Sequence, residues 1–207
     1  MTASSPTSTT TPSNAADAAA VKASLLAALR ELAATAESTA ASLMPAIEQA
    51  ARMVRATVER GGTLFFAGNG GSAADAQHIA TEYVVRYRRT RRALAAVALT
   101  TDTSLLTAAG NDFGFDEIFA RQVEGLAKPG DLLVVHTTSG TSRNIVRALE
   151  AARAMGVETL ALSANDGGAV KGLASHTIVV PTSRTDRAQE MHLCIEHAIC
   201  DTVEASL

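Results

Sequence analysis

The chain reads as an α/β protein: a five-stranded parallel sheet with helices on both faces, doubly wound, preceded by N-terminal helices. Three observations predict this. Five short β-rich runs, 63–67, 95–99, 131–137, 158–163 and 176–180, alternate with stretches of helical periodicity. The runs are nearly continuously apolar, as in strands covered on both faces. A chain of 207 residues, 47% hydrophobic, is enough to bury one sizeable core.

The elements follow in order. Residues 1–14, MTASSPTSTTTPSN, are rich in Ser, Thr and Pro and lack a positive start, an apolar core and arginine. They predict a disordered tail rather than a signal or transit peptide. From 15 to about 60, apolar residues recur at helical spacing: Val21, Leu25, Leu29 and Leu32, then Ile47, Ala50, Val54 and Val58. This predicts a helical arm of two helices, broken near Ser42-Leu43-Met44-Pro45, since proline suits a first helical turn. Gly61-Gly62 ends the arm, and residues 15–207 read as one domain. Lys128-Pro129-Gly130-Asp131 and Ala154-Met155-Gly156-Val157 are turns feeding the third and fourth strands. The last segment, from about Thr185 to Leu207, predicts a helix, and the chain shows no internal repeat.

Composition narrows the function. With a net charge of −3 and a pI near 5.9, the chain has no overall basic field for nucleic acid or an anionic membrane. Aromatic residues make up 3% and tryptophan is absent, which argues against recognition by stacking on bases or sugar rings. No apolar run reaches the roughly 20 residues that span a bilayer. Cys194 and Cys200 lie six apart on one predicted helix and so on different faces, which disfavours a disulfide and suits a reducing, cytoplasmic setting.

In a parallel sheet, ligands bind beyond the carboxyl ends of the strands where strand order reverses. Gly68-Asn69-Gly70-Gly71-Ser72 follows the first strand, and Thr137-Thr138-Ser139-Gly140-Thr141-Ser142 follows the third. Both place small residues and hydroxyls where a helix begins, so free N–H groups and the positive helix end converge. Each alone is equally a tight turn or an N-cap. In a flavodoxin-like strand order, 2-1-3-4-5, both loops open on one crevice. The nucleotide P-loop is excluded because its lysine is missing; the dinucleotide fingerprint has the tolerated Ala73 for its third glycine but lacks its acidic partner, which leaves dinucleotide binding a weak alternative.

His78 and Glu82 are four residues apart, hence on one helical face, with Asp75 and Arg86 extending a polar strip. The final helix offers a second strip in which Gln189, His192 and Glu196 share a face and Gln189 aligns with His197. His, Glu, Gln and His from two helices suit a divalent ion, and they equally suit solvated helix contacts.

GNGGSAADAQHIATE, TTDTSLLTAAGNDFGFDEIFARQVE, HTTSGTSRNIVRALEAA and AQEMHLCIEHAICD together resemble the phosphoheptose isomerases of the sugar-isomerase (SIS) fold, from about residue 18 to the end. The resemblance implies conversion of D-sedoheptulose 7-phosphate to D-glycero-D-manno-heptose 7-phosphate, the first step toward ADP- or GDP-heptose precursors. It also implies a cytoplasmic homotetramer with active sites built between subunits and one Zn²⁺ per subunit. By matching position, Thr137, Thr138, Ser139, Ser142 and Ser72 are expected to bind phosphate. Asn69, Gly70, Gly71, Glu82, Arg86, Asn111, Asp112, Asp186 and Gln189 are expected to contact substrate. His78, Glu82, Gln189 and His197 match the zinc ligands, and Glu82 with His197 is the expected acid/base pair. His136 departs from relatives, which usually carry a small or apolar residue there, and reads as a buried hydrogen-bonded neighbour; His176 reads as structural. The alternatives are a non-catalytic relative that binds the replication initiator protein and a sugar-phosphate-sensing domain of a regulator. Retention of both acid/base candidates argues against the first, and a tail without a basic helix-turn-helix pattern argues against the second.

Overall fold

The structure, a computed structural model, describes residues 14–207, with side chains from 17 onward. Apart from Asn14, which opens the first helix, the expected tail lies outside the described residues. Helix α1 spans Asn14–Glu59, β1 Leu64–Gly68, α2 Gly71–Val84, β2 Ala96–Ala98 and α3 Thr103–Asp112. A 3₁₀ turn at Phe115–Glu117 leads to α4 (Ala120–Leu126), β3 (Leu132–Thr137), α5 (Arg143–Ala154) and β4 (Glu158–Ala164). The chain continues with α6 (Val170–Leu173), β5 (His176–Val180) and α7 (Thr185–Glu204).

The five strands are parallel in the expected order, β2-β1-β3-β4-β5. Strand residues alternate between two cores, so both faces are apolar. Leu64, Phe66, Leu132, Val134, Leu160 and Leu162 pack beneath α1, α2 and α7. Phe65, Ala67, Leu133, Val135 and Ala161 pack beneath α4 and α5. The register sets Gly68 opposite His136, so the loops leaving β1 and β3 start side by side.

Two expectations need correction. The N-terminal arm is one continuous helix with Pro45 inside it, not two helices. Proline deletes a backbone hydrogen bond and costs about 3 kcal/mol within a helix. Here the residues around it, Leu43, Ala46, Ile47, Ala50 and Val54, all pack into the core, and that burial holds the helix through the break. His176 adds a tie from β5, its ring donating to the Ala46 carbonyl at 2.8 Å. The second strand is shorter than expected, Ala96–Ala98 rather than 95–99.

Candidate active site

Loops after β1 and β3 form a cavity of 280 Å³ at the carboxyl edge of the sheet. Asn69, Gly70, Gly71, Ser72, Thr137, Thr138, Ser139, Ser142 and Gln189 line it as expected, joined by His136 and Thr185. Neither Gly70 nor Ser142 caps its helix through a side chain, so the leading N–H groups of α2 and α5 stay available to an anion. Ser142 thus holds the N-cap position of α5 without using its hydroxyl for the cap. Asn69 and Asn144 lock the loops together through reciprocal amide hydrogen bonds of 2.9 and 2.8 Å. Thr137 Oγ1 accepts from the Gly140 N–H at 3.2 Å, and a Cβ on Gly140 would stand 2.1 Å from the Gly167 carbonyl oxygen. Gly71 is a softer case, because a Cβ there would lie 2.6 Å from the movable amide end of Gln189. The lining residues offer hydroxyls, backbone N–H groups and helix ends to an anion rather than a lysine or arginine side chain.

A second cluster lies farther along the same two helices. His78 Nε2 is 3.1 Å from His197 Nε2 and 3.3 Å from Glu82 Oε1. Glu82 is mostly covered, whereas His78 is about half exposed and forms part of a recess with Gln77, Thr81 and Glu82. The Tyr87 ring stacks on His197 at 5.3 Å, and the His78 ring meets it edge-on at 5.0 Å. Behind them, Arg91 donates to the Glu82 and Tyr83 carbonyls at 2.6 and 2.8 Å, satisfying the end of α2. Glu204 in turn forms an ion pair with Arg91 at 3.1 Å and accepts from the backbone N–H groups of Tyr87, Arg88 and Arg89. This clamp fixes where Glu82 and Tyr87 sit.

One ligand atom from each of His78, Glu82 and His197 lies within 4.8 Å of the others. Donors about 2.0–2.2 Å from a tetrahedral zinc stand about 3.3–3.6 Å apart, so this set of two imidazoles and a carboxylate fits the ion. Gln189 sits two turns earlier on α7, against Gly71.

The strips on both helices need correction. Arg86 falls beyond the end of α2 at Val84 and is exposed, so the strip stops at Glu82. Asp75 sits half-buried, with an orphaned Oδ2. Burial pushes its carboxyl above the ordinary range, with His136 opposing. On α7, His192 and Glu196 turn away from the ion cluster into the sheet. His192 meets the Ser163 carbonyl at 3.1 Å, and burial beside His136 pushes its pKa down to about 3. Glu196 meets His136 Nε2 at 2.6 Å, both almost wholly buried. Burial alone would discharge His136, but the adjacent Glu196 carboxylate outweighs it and raises the pKa. His136 is thus a buried, paired neighbour of the phosphate loop.

Other expected contact residues lie outside this chain's crevice. Asn111 and Asp112 end α3 on the surface, joined by a 2.8 Å hydrogen bond. Asp186 is held between Arg184 and Arg187 at 2.6 and 3.0 Å, which keeps its carboxyl well below the usual range. The sequence reading missed Asn144, Thr185, Tyr87 and the Arg91–Glu204 clamp. Only the spacing of arginines in RYRRTRR hinted at the last.

Comparison with known proteins agrees with this geometry. The SIS domain family matches residues 29–164. The phosphoheptose isomerase of Akkermansia muciniphila is 52% identical over 81% of this chain and 88% of its own. That of Paramagnetospirillum magneticum is 51% identical over 85% and 93%. The solved structure of the phosphoheptose isomerase from Neisseria gonorrhoeae superposes with a TM-score of 0.85 at 39% identity, covering 89% of this chain and 99% of that one. With both ligand loops, the two-helix His/Glu cluster and these relatives in agreement, the chain belongs to the SIS-domain family of phosphoheptose isomerases.

Proposed function

We infer that this chain isomerises D-sedoheptulose 7-phosphate to D-glycero-D-manno-heptose 7-phosphate, supplying the precursor of ADP- or GDP-heptose. One observation carries the reading: the helices whose first turns line the phosphate crevice, α2 and α7, also carry Glu82 and His197 farther along. Gln189 and His197 are eight residues apart, about 12 Å of helix. A phosphorylated ketose has the same division, with an anion at one end of an open carbon chain and the reacting carbons at the other.

The chemistry follows from the groups present. The hydroxyls of Ser72, Thr137, Thr138, Ser139 and Ser142 and the helix N-termini hold the phosphate. Glu82 removes a proton from the carbon beside the carbonyl, whose oxygen is protonated from the His197 side, giving an enediol. Loss of the proton from the other enediol hydroxyl, with return of a proton to the former carbonyl carbon, completes the aldose. His78, Glu82 and His197 would hold one Zn²⁺ per subunit, with Gln189, which lies against Gly71 in this structure, as the proposed fourth ligand. When bound, that ion supplies a Lewis acid for the carbonyl oxygen and ties α2 to α7.

We place the active enzyme in a homotetramer. Val21, Leu25 and Leu29, each 58–65% exposed, form one apolar stripe on α1, and Phe113 and Phe115 are similarly bare beside Asn111 and Asp112. Arg86, Asn111, Asp112 and Asp186 then serve a crevice completed by a neighbouring subunit. A cytoplasmic location fits two free cysteines, and no described helix is long and apolar enough to cross a membrane. The test is to incubate the pure protein with sedoheptulose 7-phosphate, with and without chelator, and follow aldose formation. Product supports the reading, and its absence under both conditions transfers support to the non-catalytic regulator.

A further inference from the structure

His136 belongs to neither the expected phosphate donors nor the acid/base pair, yet it stands where the site elements meet. It is the penultimate residue of β3, immediately before Thr137, and is paired in register with Gly68. Its ring is fully buried, stacks on Phe66 at 6.4 Å and contributes to the crevice wall. Its Nε2 bonds to Glu196 at 2.6 Å. Glu196 immediately precedes His197 on α7. The path from phosphate loop to acid/base residue is therefore Thr137–His136···Glu196–His197: two peptide bonds and one short, dry hydrogen bond. Asp75 of α2 and His192 of α7 are the other titratable groups facing this ring.

We propose that the buried His136–Glu196 pair is a positioning strut that sets the separation between the phosphate anchor and His197. Stability alone gives no reason for such a pair, because two well-packed apolar residues serve a core as well or better. Geometry gives one. Apolar side chains slide against each other, whereas a short hydrogen bond fixes both distance and direction. The strut spans the sheet-to-helix gap at the level where substrate must be held at two points at once, and small misplacement there is expensive in turnover.

The inference rests on the isomerase reading, and the test separates the two. Single removal of either partner strands a buried polar group, so the informative variant is the double His136→Leu/Glu196→Leu, compared with the parent and with Glu196→Gln. The measurements are thermal midpoint, affinity for inorganic phosphate by calorimetry, and kcat and KM on sedoheptulose 7-phosphate. The strut predicts a folded double variant with unchanged phosphate affinity and a kcat lower by about tenfold or more. It further predicts that Glu196→Gln, which keeps an oxygen acceptor for the ring, recovers most of that turnover. A folded double variant with parental kcat overturns the proposal, as does one that loses phosphate affinity and kcat together, since the pair would then merely shape the loop. An inactive parent overturns the isomerase reading and this inference with it.

Discussion

Two histidine–glutamate pairings occupy the same corner of the molecule and do opposite things. In the inner one, His136 and Glu196 meet at 2.6 Å with 0% and 5% of their side chains exposed. In the outer one, His78 and Glu82 meet at 3.3 Å with 46% and 18% exposed, and a second imidazole, His197, stands 3.1 Å from the first. Residue types are the same, so environment sets the role. The inner pair is dry and joined by one short bond through His136 Nε2, which makes it a fixed fitting even though His136 Nδ1 has no partner. In the outer cluster two ring nitrogens face each other beside a carboxylate, with open space alongside. Such an arrangement has donor atoms to spare for an ion and protons to exchange.

The contrast breaks most sharply by exchanging the two glutamates' fates. Glu82→Gln should lower kcat by about 10²–10⁴-fold, or about 3–5 kcal/mol of barrier, while the thermal midpoint stays near the parent's. Glu196→Leu should do the reverse first, losing about 1–3 kcal/mol of stability in a urea titration because the buried His136 Nε2 is left without its partner. If Glu196→Leu is as stable as the parent, the inner pair is not a structural fitting.

Smaller effects sharpen the picture. Ser142→Ala removes one phosphate hydroxyl from a loop that has several, so KM should rise by about tenfold with kcat nearly unchanged, as read from initial rates. His192 tests the dry side by pH. Its folded pKa of about 3 is depressed, so the unfolded chain binds the extra proton between there and its ordinary value. The stability contributed by keeping His192 neutral is complete above about pH 6.5 and falls by about 1.4 kcal/mol per pH unit as the solution is acidified. His192→Gln, which keeps a donor for the Ser163 carbonyl, should remove that part of the acid sensitivity in a series of denaturant titrations from pH 7 to 4. As a baseline, Arg52→Ala breaks an ion pair to Glu48 exposed at more than 60% on both sides and should change stability by less than about 0.5 kcal/mol.

The strands and both ligand loops were legible in the sequence because they depend on local signals, apolar runs and glycines and hydroxyls at strand ends, whereas the strand order came from the fold class those elements suggest. His78 with Glu82, and Gln189 with His197, were legible because helical spacing is local too. The continuity of α1 was not, since Pro45 is a local breaker overruled by packing against the rest of the molecule. Nor was the inner pair, whose partners are 60 residues apart and meet only when α7 folds back over β3. A helical strip of Gln189, His192 and Glu196 could point outward or inward, and periodicity does not choose between them. Asn69–Asn144 and Tyr87–His197 are invisible for the same reason: contacts across the fold leave no periodic trace.

The central claim is that Glu82 moves the proton on carbon. It is tested most directly by incubating parent and Glu82→Gln with sedoheptulose 7-phosphate in deuterated water and following deuterium uptake at the substrate carbons by NMR. The account predicts uptake with the parent and none above the uncatalysed background with Glu82→Gln at the same fold stability. Near-normal uptake by Glu82→Gln would show that another group is the base and would contradict it.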